Sequence, residues 1–518
     1  MQEKISGIEL AIFSGKLNTI CEEMGFVLQR SALSPNIKDR LDFSCALFDS
    51  EGRILAQAAH IPVHLGSMAY AMKDLVAMFD WSEGDMVVVN DPFKGGTHLP
   101  DVTMIAPLFL SDVLHGFVVN RAHHANIGSE APGSMPLSDS LLEEGIVLGP
   151  QKIIDKGIIV DELARRIRSI EPNCDSELPE DFLAQISANQ TGLMRMTDWL
   201  NGIQHGGVYF NARCAALNEY GLTLMQGFIS KLPIESVEFS DVLDSDGFGA
   251  EKIPIHLELR STGERLVFDF SGTGQSVKGN LNCPESVTAS SVYYVIACLL
   301  PEYAPKCDGV FRFIDIICPY GSMLNAPKGS AVAAGNVETS MRVVDVVQGC
   351  LLKLGLDMPA AAQGSMNNIA MGNKSSSAES WDYYETLAGG MGANSGSSGL
   401  DAVQCHMTNT LNTPVESLEL HYPIQITEYS IRGRSGGKGE YDGGCGLSRS
   451  YRFTAPASVT LLTERRMNQP WGVSAGAGKC GVNTLNDQVL PAKAQIQVEQ
   501  NDVINIKTPG GGAWSSEA

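Results

Sequence analysis

Apolar residues recur along the chain with two different periods, and the changes of period mark its parts. Over MQEKISGIELAIFSGKLNTICEEMGFVLQRSA the apolar positions Ile5, Ile8, Leu10, Ile12, Leu17 and Ile20 are interleaved with charge, as on an amphipathic helix. Short apolar runs follow, DMVVVN and LHGFVVN among them, and these predict strands. Helical spacing returns in ELARRIRSIEP and in EDFLAQISANQTGLMRMTDWLNG, where Phe182, Ile186, Leu193 and Leu200 recur near one face. From about residue 235 the pattern turns to strands, PIHLELRS and ERLVFDFSG, preceded by the turn signal DSDGFG. NVETSMRVVDVVQGCLLKLG predicts another helix. From about residue 430 the chain is strand- and glycine-rich, with YRFTAP, SVTLLTERR, AQIQVEQ and VINIKTPGGGAW.

This order predicts a mixed α/β (α+β) fold: one large compact multi-layer assembly with a helical N-terminal part and strand- and glycine-rich later parts. Three regions are expected, a helix/strand region over 1–232, a central strand–helix region over 233–430 and a C-terminal strand- and glycine-rich region over 431–518. No internal repeat is evident, and no long charged or Pro-rich linker separates the regions, so they are expected to pack together. The 53 glycines cluster in runs such as GGMGANSGSSG and TPGGGAW, which mark loops or close backbone approach.

Charge narrows the function classes. A net charge of −22 repels nucleic acid and anionic membrane surfaces, so neither is expected as a partner. The N-terminal stretch lacks a basic segment followed by an unbroken apolar core, and VYYVIACLL before Pro301 is too short to span a bilayer. A soluble cytoplasmic protein is expected. The 12 cysteines form no CxxC pair, and most are expected to be buried, reduced thiols.

Candidate chemistry gathers around NDPFKGGTHLPDVTMIAPLF, Asn90 to Phe109, a polar loop that turns abruptly into an apolar strand. Six of the 10 histidines lie between positions 60 and 124: His60, His64, His98, His115, His123 and His124. Carboxylates stand among them. KDRLDFSCALFD carries Asp39 and Asp42, and the loop spaces His98 and Asp101 as H-x-x-D. Two or three imidazoles with one or two carboxylates suit a catalytic divalent metal, and Zn, Mn and Fe all accept such a set. A structural hydrogen-bonding role for the His-His pair fits the same spacing. His60 and His64 offer a second polar wall or, equally, satisfied histidines ahead of a helix.

NDPFKGGTHLPD, RAHHANIG, PGSMP and LLEEGI together resemble the hydantoinase B/oxoprolinase family. The likeness continues through DFLAQISANQTG, LDSDG, VFDFSGTGQSVKGNLN, AGNVETSMRVVDVV and TPGGGAW in the expected order, over essentially the whole chain. The resemblance implies a metal-containing subunit of a hetero-oligomer. An A-type partner binds ATP with Mg and phosphorylates the substrate oxygen, and the B-type chain completes the reaction. Carried onto this sequence, the implied metal ligands are Asp39, His98, Asp101 and His123, with Asp42 close enough to take the place of Asp39. Asp101 is implied to help move a proton, and His124 to orient a ligand or donate to the substrate. Relatives commonly read AHHAD where this chain has Asn126.

Other signals carry less. VSAGAGKC is not a phosphate loop: Val473 stands where the first glycine is needed, and Cys480 follows Lys479. DSDG lacks the remaining acidic positions of a calcium loop and reads as a turn. Asp269 and Glu338 sit in family-like motifs, either lining the cleft or bonding glycine-rich turns. The expected function is therefore the catalytic subunit of an ATP-dependent cyclic amide hydrolase, opening a hydantoin, lactam or oxoproline-type ring. The alternatives are a ketone carboxylase subunit of the acetone or acetophenone type, and a non-catalytic scaffold for the ATP-binding partner.

Overall fold

The computed structural model describes residues 5–58, 61–171, 175–373 and 380–516; His60 lies outside the described residues. Seven strands, β1 (Phe43–Asp49), β2 (Ile54–Gln57), β3 (Met86–Val89), β4 (Asp101–Leu110), β5 (Val113–His123), β6 (Gln151–Asp155) and β7 (Ile158–Ile159), form an antiparallel sheet in the order β2-β1-β5-β4-β3-β6-β7. Around it lie helices α1 (Gly7–Ser31), α2 (Pro35–Lys38), α3 (Pro62–Ala77), α4 (Asp161–Arg168), α5 (Glu180–Asn201) and α6 (Gly206–Ile229).

Both faces of this sheet are covered, which is why its strands read as unbroken apolar runs. Cys45, Leu47, Val118 and Ala122 meet α1, α5 and α6 on one face. Ala46, Phe48, Val119 and Ile105 meet Met68, Met72 and Leu75 of α3 on the other. Helix α1 begins in a capping box, the Ser6 hydroxyl accepting from the Glu9 amide while the Glu9 carboxylate accepts from the Ser6 amide. Its core stripe is Leu10, Phe13, Leu17, Ile20, Met24 and Leu28. Ile8 and Ile12, counted above in the apolar pattern, point to solvent.

Beyond α3 the layers continue. Helix α7 (Glu285–Leu299) packs on α3, with Gly66 so close to Ser290 that an added Cβ would stand 2.6 Å from its Cα. VYYVIACLL is thus the second half of a packed helix rather than a span. A four-stranded sheet, β8 (Glu235–Ser245), β9 (Glu251–Ser261), β10 (Leu266–Asp269) and β11 (Ile314–Ile317), packs against α8 (Ser340–Lys353). The remaining strands are β12 (Asn368–Asn373), β13 (Trp381–Glu385), β14 (Ile424–Ile431), β15 (Leu447–Phe453), β16 (Ala457–Leu462), β17 (Val482–Leu485), β18 (Gln488–Leu490), β19 (Lys493–Val498) and β20 (Val503–Lys507). They make two sheets, β13-β12-β16-β19 and β14-β15-β20-β17-β18, which share a core including Met371, Leu461, Tyr451 and Ile504. Each sheet draws strands from both sides of residue 430. The mixed α+β architecture agrees with the sequence reading.

The glycine runs form neither ordinary loops nor strands. Extended segments stack backbone on backbone: Gly444 N donates to Met391 O, Gly511 N to Gly444 O, and Gly437 N to Gly511 O, at 2.8–2.9 Å. A Cβ at Gly443 would stand 2.0 Å from Gly511 O, and one at Gly444 1.9 Å from Leu400 O. No side chain fits between these segments.

A buried ionic knot ties β8, α8 and the segment after β16. Arg465 Nη2 lies 2.5 Å from Asp345 and 2.7 Å from Asp241, while Lys493 pairs with Glu464. Asp244 of the DSDG turn accepts the backbone amides of Arg466, Met467 and Asn468 at 2.6–3.1 Å. Its oxygens are committed to backbone, so the turn is structural. Seven of the eleven described cysteines are buried and all eleven are free thiols, in keeping with the absence of CxxC pairs. Among the described residues no helix is long and apolar enough to cross a membrane.

Candidate metal centre

The polar loop before β4 is held from within. Asp91 accepts from the Phe93 amide at 3.0 Å and starts a short 3-10 turn that ends at Gly95, whose φ of +100° suits glycine. Gly96 passes so near Asn90 that a Cβ would lie 2.5 Å from its carbonyl oxygen. These two close constraints explain the glycine pair. Asn90 donates to the carbonyls of Leu99 and Ile146 at 2.8 and 3.0 Å and accepts from Leu148 N at 2.6 Å. The buried Arg121 donates to Gly95 O, Ser67 Oγ and Thr103 Oγ1 at 2.6–2.8 Å, tying the loop to α3 and β4.

Strand register then brings the chemistry together. Asp101 and His123 are directly paired across β4 and β5, so both side chains leave the sheet on the α3 face. His98 comes from the loop and His64 from the first turn of α3. Asp101 Oδ1 lies 3.2 Å from His64 Nε2, 3.3 Å from His98 Nε2 and 3.6 Å from His123 Nδ1. Ligands about 2.1 Å from a tetrahedral ion stand about 3.4 Å apart, so these separations are those of a coordination shell. His98, Asp101 and His123 can each offer one ligand atom within 4.8 Å of the others. All three are buried, and His98 Nε2, Asp101 Oδ1 and His123 Nε2 have no hydrogen-bond partner. Buried polar atoms are normally satisfied, and the donor set suits a borderline divalent ion. The residues present fit a metal.

The surroundings orient each of them. The Ala333 carbonyl faces His98 Nδ1 at 3.2 Å; a carbonyl only accepts, so Nδ1 carries hydrogen and Nε2 keeps its lone pair toward Asp101. Asp101 Oδ2 accepts from Thr97 Oγ1 and from Asn336 Nδ2, the latter at 3.3 Å. Asn336 lies in a π-helical turn, Gly335–Thr339, that leads into α8. The Tyr384 ring stacks on His123 at 4.8 Å and 1°, and its hydroxyl donates to Asn368 Oδ1 at 2.6 Å. Asn368 Nδ2 in turn donates to Glu338 Oε1 at 2.8 Å. Burial alone would push the Asp101 carboxyl up, but His64, His98 and His123 outweigh it and hold it well below the usual carboxylate range. Burial likewise opposes a charge on His98, and Asp101 overcomes it and raises that imidazole. For His123 burial wins, and its value is lowered.

The expected residues divide. His98, Asp101 and His123 come together. Asp39 does not join them: it caps the end of α2 and is half-buried. Asp42 stands nearer, its carboxylate 3.9 Å from both His64 Nε2 and His123 Nδ1, since the chain reverses around Asp42 before entering β1. His124 turns to the opposite face, because neighbours on a strand alternate. There its Nε2 meets Gln185 Oε1 at 2.8 Å and its ring packs on Phe182. It borders a cleft of about 410 Å³ lined also by Asn126, Glu171, Asp181 and Trp381. His64, a wall residue by sequence, lies at the centre. Thr97, Asn336 and Tyr384 are additions that the structure makes. Only Asn336 falls in a motif that the sequence singles out, AGNVETS, and nothing local marks Tyr384.

Comparison with known proteins gives a consistent result. The hydantoinase B/oxoprolinase family model matches residues 6–517. The chain is 36% identical over 542 residues to 5-oxoprolinase 1 of Arabidopsis thaliana, covering 98% of this chain and 42% of that protein. It thus spans less than half the length of that relative. It is 28% identical over 547 residues to a putative B-type D-/L-hydantoinase subunit of a Pseudomonas strain, covering 99% and 90% of the two chains. An ATP-dependent caprolactamase from Pseudomonas jessenii shares the fold, with a TM-score of 0.89 at 22% identity over 99% of this chain and 92% of that one. The chain belongs to the hydantoinase B/oxoprolinase family.

Proposed function

We propose that this chain completes the ATP-dependent opening of a cyclic amide, a hydantoin, lactam or 5-oxoproline-type ring, after an A-type partner has phosphorylated the amide oxygen. The observation that carries the reading is the buried set of unpartnered ligand atoms on His98, Asp101 and His123 in a chain of this family. A relative named as a hydantoinase subunit, and a longer one named as an oxoprolinase, favour a separate partner that supplies ATP and Mg. Zn, Mn and Fe all suit the donors, and any of them would supply Lewis acidity at the carbon under attack.

The chain's own residues do the rest. His98, Asp101 and His123 bind the ion, with Asp42 in place of Asp39 on the outer side. Thr97 and Asn336 hold Asp101 Oδ2, which leaves Oδ1 directed at the imidazoles. His64 Nε2, 3.2 Å from Asp101 Oδ1, is placed to take and return a proton there. Tyr384 fixes the plane of His123. The apolar strands behind Asp101 exclude bulk water from an activated substrate.

The test is reconstitution. The chain, combined with an A-type partner, ATP and Mg, is expected to open one member of a panel of hydantoins, lactams and 5-oxoproline. His98→Ala and His123→Ala are expected to lose both turnover and near-stoichiometric metal. Incorporation of labelled bicarbonate without ring opening would move the chain to the carboxylase branch. Retained turnover in both variants would leave it a scaffold.

A further inference from the structure

Glu144 is a buried carboxylate with no counter-ion, and its contacts lead to one place. It follows the 3-10 turn Leu141–Glu143 in the LLEEGI motif. Its Oε1 accepts three hydrogen bonds: Val332 N at 2.8 Å, Ala333 N at 3.0 Å and Ser138 Oγ at 2.8 Å. Its Oε2 is buried without a partner. Ala333 is the residue whose carbonyl faces His98 Nδ1 at 3.2 Å. One carboxylate oxygen therefore holds two successive amides of the peptide that orients the imidazole.

Glu144 is itself fixed. Its amide bonds to Leu141 O at 3.1 Å, and Leu141 N bonds to Gly329 O at 3.1 Å. Gly145 adopts a φ of +135° and sits where a Cβ would lie 2.5 Å from Ile127 O. The next residue, Ile146, accepts from Asn90, whose same amide group also donates to Leu99 O beside His98. The short segment 144–146 thus reaches His98 by two routes, through the backbone of its loop and through the peptide behind its ring.

We infer that Glu144 is a positioning residue for the metal centre: it sets the Ala333 carbonyl that keeps His98 with Nδ1 protonated and Nε2 free to bind. This role presupposes the metal reading given above. One oxygen does the accepting and the other has no partner, so the geometry needs an acceptor at that point and not a charge. Glutamine keeps that acceptor. Aspartate, one methylene shorter, withdraws it.

The experiment is zinc titration of the chelator-treated full chain in competition with a chromophoric chelator. Glu144→Gln is expected to bind within about threefold of the unaltered chain, and Glu144→Asp and Glu144→Ala roughly 10–100-fold more weakly. In the His98→Ala background, Glu144→Asp is expected to change affinity by less than about threefold, since the group it positions is gone. If Glu144→Ala does not fold, the aspartate and glutamine variants decide. A Glu144→Asp chain that binds zinc like the unaltered one would overturn the inference, as would an effect that persists without His98. Failure of the unaltered chain to bind zinc, manganese or iron would overturn the metal reading instead.

Discussion

Replacing Asp101 by Asn keeps the shape of the side chain and removes its charge. Asp101 is fully buried, with three imidazole nitrogens 3.2–3.6 Å from Oδ1. At such a distance one protonated imidazole would be worth about 5 kcal/mol at an effective dielectric constant of ~20. Burying the carboxylate costs several kcal/mol, which nearly cancels that gain. Without metal, Asp101→Asn is therefore expected to unfold within about 2 kcal/mol of the unaltered chain, on either side. With metal the two separate. An ion at about 1,000 times its Kd stabilises the native state by about 4 kcal/mol, and the variant is expected to lose nearly all of that. Urea unfolding of chelator-treated protein, with and without zinc, manganese or iron, measures both terms. If the variant lost more than about 3 kcal/mol without metal, and the unaltered chain gained nothing from any ion, the His/Asp set would be a structural ion-pair knot.

Two further outcomes test the frame around the site. Arg465→Met leaves Asp345 and Asp241 buried without their nearest cation and is expected to cost about 3–5 kcal/mol in denaturant unfolding; a loss below about 1 kcal/mol would refute the knot's role. Burial raises the Glu338 carboxyl from 4.5 to about 8. Its neutral form favours the fold, so that contribution is complete below about pH 4.5 and is lost as pH rises through about 8. Stability of Glu338→Gln is therefore expected to fall less between about pH 5 and 8 than that of the unaltered chain, and parallel pH curves for the two would contradict this.

How much of this was legible in the sequence depended on how local each signal was. The strand runs, α5 and α8 announced themselves through period and length. Helix α6 had no counterpart among the predicted elements, although Phe210, Cys214, Leu217, Gly221, Met225 and Ile229 form a regular buried face. Small and polar residues in that stripe dilute its apolar signal. The H-x-x-D spacing and the His-His pair located the site, but spacing does not say which of two adjacent strand residues faces inward. Register settles that, and it separated His123 from His124. Asp42 displaced Asp39 for a similar reason: a reversal of three residues decides which carboxylate points back at the sheet. Asn336 and Tyr384 reach the centre from far along the chain, by packing that no window of sequence contains.

The glycine layer changes how tolerance to mutation should be interpreted. Alanine at Gly443, Gly444 or Gly511 would drive a methyl group to within 2.0 Å of a facing carbonyl. In a saturation-mutagenesis experiment scored by activity, these positions would therefore fall as far as His98 or Asp101, although they touch no reacting atom. A ranking by intolerance alone would draw a second active site across the C-terminal third of the chain. Scoring the same library for metal retained by the soluble fraction would pull the two sets apart, because a glycine variant that escapes collapse keeps its metal and a ligand variant does not.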